Sequence, residues 1–184
     1  MKPILRIILV GLVVLVVGRV IYLRRFQLEA KIWHWRHGYS TRLGAYDVPV
    51  PDHWLVAFDS PGTGVDIVNT ATKRQSKPMV MPDSIIFMPL FHSMTTTNVD
   101  FWKQTRRQQL EEGGLSEVEE NTFMAGDEKV VCIGGSLYPE IVHTPNTTLV
   151  GMQCNAGGLM AIIVGDRAGL DDSYKIVSQI KKHN

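Results

Sequence analysis

From Ile7 to Leu23 the chain reads IILVGLVVLVVGRVIYL, an apolar run with a single charge at Arg19. As a helix this run extends roughly 26 Å at about 1.5 Å per residue. That is slightly short of the ~30 Å hydrocarbon core of a bilayer, but Tyr22 and the long arginine stems reach the interface. The pattern predicts a transmembrane helix, Ile7–Leu23, in contact with the lipid bilayer. Beyond it apolar residues recur at periods near two and near 3.6, the signature of a folded α+β domain.

Arg24 to His37 (RRFQLEAKIWHWRH) continues the helix. Phe26, Ala30, Trp33 and His37 share one stripe, and Leu28, Ile32 and Trp35 lie on another side. Two tryptophans among basic residues fit the headgroup level of a membrane. Gly38 and Gly44 end the helix and bound a short linker. Val48 and Val50 alternate with Pro49 and Pro51, which predicts an edge or entry strand. Trp54, Val56 and Phe58 point to one face of the next strand, and residues 60–64 form a turn. Further strands are expected at Gly64–Thr70 and Ser84–Leu90, separated by a polar loop from Ala71 to Pro82. A helix follows from Val99 to Glu112, capped by Thr97 or Asn98, with Val99, Trp102, Arg106 and Leu110 along one side. Glu117, Glu119 and Glu120 mark the solvent face of a strand. Three strands then fill residues 128–166, the last two joined by a tight turn at 155–158. Leu170 to Lys182 closes the chain as a helix with Leu170, Tyr174, Val177 and Ile180 as its apolar stripe.

Charge divides the chain. Five of its 19 basic residues and none of its 18 acids fall in residues 1–25, so the remainder carries a net charge of −4. An acidic domain lacks the basic footprint of nucleic-acid binding, and the basic flank suits lipid headgroups. The expected organisation is an anchor with its flank (1–25), a juxtamembrane helix and linker (26–44) and one soluble domain (45–184). No small-x-small cleavage site follows the apolar run, so it is read as an uncleaved signal-anchor. Lys2 and Arg6 precede it and Arg24, Arg25, Lys31, Arg36 and Arg42 follow it, a bias that favours a cytoplasmic domain.

The two cysteines lean the other way. Cys132 and Cys154 lie in strands that form a hairpin about His143, and a simple register brings them face to face. A disulfide there closes a loop worth about 3 kcal/mol. The alternative is a pair of buried free thiols. A disulfide implies an oxidising compartment, hence a single pass through an inner membrane with the domain extracytoplasmic.

Chemical motifs are sparse. His34 and His37, spaced i, i+3, could share a metal, but polar groups at a wet interface are the default, and no metal site is expected. No H-E-x-x-H, G-x-S-x-G or Walker pattern occurs. His92 beside Ser93, or His53 with Asp66, makes a triad only on paper. Met79, Met81 and Met88 read as core or loop fillers rather than a copper site. Asn146-Thr147-Thr148 is a glycosylation acceptor that matters only in a secretory pathway.

The order of these segments is informative. VPVPDHWLV with Pro51 and Trp54, then GVDIVNT, SIIFMPL, a Gln- and Arg-rich helix, a long antiparallel run and the closing GLDDSYKIVSQIKK follow one another. This layout, over residues 45–182, resembles the Mog1/PsbP-like superfamily, including its bacterial DcrB-type membrane-associated members. The resemblance implies an antiparallel sheet with packed helices and an accessory or binding role, with no catalytic motif to carry over. DcrB-type proteins are lipid-anchored, whereas this chain has no lipobox. The expected function is therefore a membrane-anchored, non-enzymatic domain that binds an unidentified membrane or envelope protein and needs no cofactor. The alternative is a small-ligand or envelope-component binder with Trp54, Trp102 and Arg106 lining a pocket between sheet and helix. An enzyme is the third reading.

Overall fold

The computed structural model describes residues 3–73, 83–90, 99–113, 117–136, 149–156 and 158–183. The caps at Thr97 and Asn98, His92, Ser93, Met79, Met81, His143 and Asn146 lie outside them.

The first element, α1 (Pro3–His37), is one unbroken helix of 35 residues, about 52 Å long. From Val10 to Tyr22 all of its residues are exposed. This described apolar stretch is roughly 20 Å long, and among the described residues no helix is long and apolar enough to cross a membrane. Further along, Ala30 and His34 are buried against the domain.

Gly38, with φ of 79°, turns the chain out of the helix. Residues 38–44 are not a linker. Ser40–Leu43 form strand β1, which pairs antiparallel with β2 (Tyr46–Pro49) across a turn at Gly44. Leu43 is buried in the core, so the segment folds as part of the domain. Strand β2 is central, in a three-stranded sheet ordered β1-β2-β10. Its proline is tolerated because β10 (Lys181–Lys182) pairs only with Tyr46 and Asp47, so Pro49 is not asked to donate to it. The chain end is therefore a strand where a helix was expected: α4 (Leu170–Ser178) stops at residue 178.

The larger sheet has seven antiparallel strands ordered β3-β4-β5-β9-β8-β7-β6. They are β3 (Trp54–Ser60), β4 (Gly64–Asn69), β5 (Ser84–Pro89), β6 (Glu119–Ala125), β7 (Glu128–Ser136), β8 (Leu149–Ala156) and β9 (Leu159–Asp166). Alternation sends Val65, Ile67, Ile85, Phe87, Val130, Cys132, Met152, Cys154 and Ile163 into one core. Leu43 and Val48 of the small sheet, Val50 just beyond it, and Leu170, Ile176 and Val177 of α4 cover it. The other face carries α3 (Val99–Glu112), which contacts β7. The opening of the expected 71–82 loop is instead a helical turn, α2 (Thr70–Lys73).

Cys132 and Cys154 sit directly opposite each other in the β7–β8 ladder, joined by a disulfide and fully buried. Two pairs along, Gly134 faces Met152, and a Cβ at Gly134 would lie 2.7 Å from the Met152 Cα. Glu119 and Glu120 do not simply face solvent. Glu119 binds Arg167, while Glu120 binds Lys103 at 2.5 Å and Arg107 at 3.4 Å. These pairs hold the Glu120 carboxyl below its ordinary range, the Lys103 hydrogen bond being the largest cause.

Two outcomes are expected. Replacing both cysteines by alanine opens a 22-residue closure and lowers unfolding free energy by about 3 kcal/mol, read as a fall in the urea midpoint. Tyr174 packs on Phe123 at 5.6 Å between ring centroids, and burial pushes its phenol up to about 12. An unfolded chain gives up this proton near pH 10, before the folded one does. Stability from this group is therefore whole below pH 10 and lost as pH rises through about 12. Tyr174→Phe flattens the decline in urea midpoint across that window.

Candidate functional site

The helix and the domain meet at His34. Its Nδ1 lies 2.8 Å from the Gly38 carbonyl oxygen, and its Nε2 lies 3.0 Å from those of both Pro51 and Trp54. Trp33 stands edge-on to the imidazole at 5.1 Å, and Tyr39 stacks on it at 4.7 Å. The ring nitrogens are thus spent on backbone carbonyls. The His37 Nδ1 is engaged as well, 3.0 Å from the Trp33 carbonyl. His34 and His37 thus form a structural knot at the helix–domain junction. Among the described residues no three of His, Cys, Asp and Glu come together as a metal cluster.

Beside the knot, α1, β1 and β3 enclose an open cleft of about 440 Å³. Trp33, His37, Arg42, Val56, Phe58 and Asp59 contribute to its lining. Strand β3 is the last strand of the large sheet, and its register shifts between Val56 and Phe58. That bulge breaks the expected alignment: Trp54 stays buried while Phe58 turns out, 61% exposed. Phe58 pairs across the ladder with Asp66. The Oδ1 of Asp66 is buried with no hydrogen-bond partner, and desolvation raises its carboxyl above the ordinary range. The cleft therefore offers an exposed aromatic ring, a guanidinium and an imidazole beside a terminal strand. These suit recognition of a polypeptide with an aromatic or acidic side chain.

The residues singled out from the sequence are not one lining. Trp54 is buried in the core with Val65 and Ile67. Trp102 and Arg106 lie on α3, whose Lys103 and Arg107 bind Glu120 on the opposite face of the sheet. The Arg106 Nη1 donates to Gln109 at 2.9 Å, and its Nε is buried without a partner. His53 holds α2 through its backbone carbonyl, which accepts from the Thr70 amide and hydroxyl. The cleft had no legible signal except the exposed position of Phe58, which depends on a bulge.

His34→Ala removes the ring that faces the Gly38, Pro51 and Trp54 carbonyls; the Pro51 carbonyl keeps the Trp54 amide at 2.8 Å, and any other buried acceptor left unsatisfied costs about 1–3 kcal/mol. Trypsin is expected to cut faster at Lys31 and Arg36 while the disulfide-linked sheet remains intact. His34→Gln, which keeps a donor, restores part of the protection.

No family model and no curated protein matches the chain. Solved structures do. A solution structure of PsbP (CyanoP) from Synechocystis sp. PCC 6803 is similar with 10% identity and a TM-score of 0.41, covering 76% of this chain and 87% of that one. The Ran-binding protein Mog1p of Saccharomyces cerevisiae is similar with 13% identity and a TM-score of 0.44, covering 76% and 82%. A point mutant of Mog1 gives 13% identity, a TM-score of 0.44 and coverage of 74% and 82%.

Proposed function

We propose that the protein is a membrane-anchored accessory domain, non-enzymatic, that binds a partner protein close to the bilayer. One observation carries this reading: the helix that His34 ties to the domain is the same helix whose apolar residues from Val10 to Tyr22 are uncovered. In water that surface is costly, at about 25 cal/mol per Å² of apolar area. In the sequence it continues through Ile7–Leu9 and Leu23, and a bilayer is the phase that suits it. Arg25 lies over the rings of Tyr22 at 4.8 Å and Phe26 at 4.5 Å, an arrangement fit for an interface.

On this reading the domain lies on the extracytoplasmic side of an inner membrane. A disulfide buried within the sheet forms in an oxidising compartment, and this outweighs the basic residues after the apolar run. The partner-binding surface is the cleft with Phe58 at its rim. A tether raises the local concentration of domain and partner, so modest contacts suffice there. The small-ligand alternative loses its expected lining, because Trp54 is apart from Trp102 and Arg106.

The test uses the full chain with a photo-crosslinking residue at Phe58. The chain is expected to stay in the membrane pellet after alkaline carbonate, and to give one protein adduct that Arg42→Glu weakens. A variant lacking residues 1–24 is expected in the supernatant without the adduct. Full-length chain released by carbonate overturns the anchor. Retained chain whose adduct ignores Arg42→Glu overturns the cleft.

A further inference from the structure

We propose that α1 pairs in parallel with α1 of a second copy of this chain, along a seam that runs from the membrane into the domain. The inference rests on the anchor reading above and adds the occupant of one helix face.

The seam is visible as spacing. Gly11, Val14, Gly18, Ile21, Arg25, Leu28, Ile32 and Trp35 follow one another at alternating steps of three and four, the repeat of a left-handed coiled coil. Val14, Ile21, Leu28, Ile32 and Trp35 are exposed by 63, 53, 40, 51 and 84%. A Cβ at Gly11 or Gly18 would meet nothing within 4 Å, so a second backbone can approach there. Ala30 and His34, the residues buried in the domain, lie roughly half a turn round the helix. The docked domain therefore leaves the seam open.

Lipid cannot cover all of it. At about 1.5 Å per residue, Ile32 and Trp35 stand about 14 and 18 Å beyond Leu23 along the axis. The headgroup layer adds only about 5–8 Å per side, and an average tilt of about 20° shortens 18 Å by only about 1 Å. The most exposed tryptophan of the helix thus lies past the lipid, on the same stripe as residues within it. One cover continuous with both regions is another helix.

A copy of this same helix matches the seam layer by layer: glycine meets glycine at 11 and 18, and apolar side chains meet at 14, 21, 28, 32 and 35. In a parallel pair the flanking positions bring Arg24 of one chain to Glu29 of the other, an attractive contact. Arg25 falls on the seam opposite its own copy, a like-charge cost, with its guanidinium over the rings of Tyr22 and Phe26. Lys31 meets Arg36 with like charge, a cost that the Ile32 and Trp35 pairs offset. A single membrane holds both chains in one direction, as the pairing requires.

The experiment uses full-length chain in membranes, with one cysteine introduced at a time and mild oxidation. Cys132 and Cys154 are bonded to each other and buried, so they do not compete. Leu28→Cys, Ile32→Cys and Trp35→Cys are expected to give disulfide dimers several-fold more abundant than Gln27→Cys and His37→Cys, on the opposite side. Ile32→Glu is expected to abolish the Leu28→Cys dimer without releasing chain in carbonate. Equal or absent dimers in carbonate-resistant chain overturn the seam and leave the anchor standing. An adduct of a mass other than twice the chain overturns the second copy as occupant. Release of the unsubstituted chain by carbonate overturns the anchor first and the seam with it.

Discussion

One imidazole joins the two halves of this molecule. The carbonyls of Gly38, Pro51 and Trp54 converge where a helix ends and a tight turn begins. The Pro51 carbonyl also accepts from the Trp54 amide within its own turn, so what the ring adds is a link between the helix end and that turn. A histidine ring reaches both because its two nitrogens point in different directions. Trp33 and Tyr39 pack around the ring and keep water away, which strengthens its hydrogen bonds. The direction of α1 relative to β3 follows from this contact, and with it the position of every domain residue relative to the apolar stretch.

The sheet that receives this helix is asymmetric. One face is closed by α4 and the small sheet, and its side chains are those of a conventional core. There β7 and β8 approach closely at Gly134 and Gly151, and the disulfide further along the ladder fastens the same strands. The other face carries Asp66, Gln153 and the charged helix α3. The buried Asp66 Oδ1, without a hydrogen-bond partner on that face, is a local stability cost. What the fold exposes for recognition is not the middle of either face but its margin, at the bulged end of β3.

Much of this layout was legible from spacing. Alternation gave the strands of residues 64–69, 84–89 and 128–166, and glycines at 38 and 113 marked helix ends. The face-to-face placement of Cys132 and Cys154 followed from register alone. What was not legible depended on distant partners. Ser40–Leu43 is too short and polar to read as a strand, and becomes one because Tyr46–Pro49 folds back on it. Lys181 and Lys182 continue a helical pattern in sequence, yet β2 offers them a ladder. The His34 acceptors lie 17 and 20 residues away at Pro51 and Trp54, so spacing could show only the nearby His37. Trp54 and Phe58 share an alternation in sequence that the bulge at Ala57 separates in space, and the candidate site turns on that difference.

Rigidity at the junction narrows what a partner can be. Had residues 38–44 formed a flexible linker, seven residues would have allowed about 15 Å of play, enough to find a partner site at many heights above the lipid. Folding them into β1, and tying α1 to β3, removes that play. Tethering helps only when geometry allows both attachments together. Trp33 and His37, on the wall of the cleft, stand about 15–21 Å beyond Leu23 along the helix axis. With the anchor proposed above, a partner lying flush with the headgroups falls below this surface, and that reading favours one that projects a comparable distance from the membrane and presents an aromatic or acidic side chain at the height of Phe58.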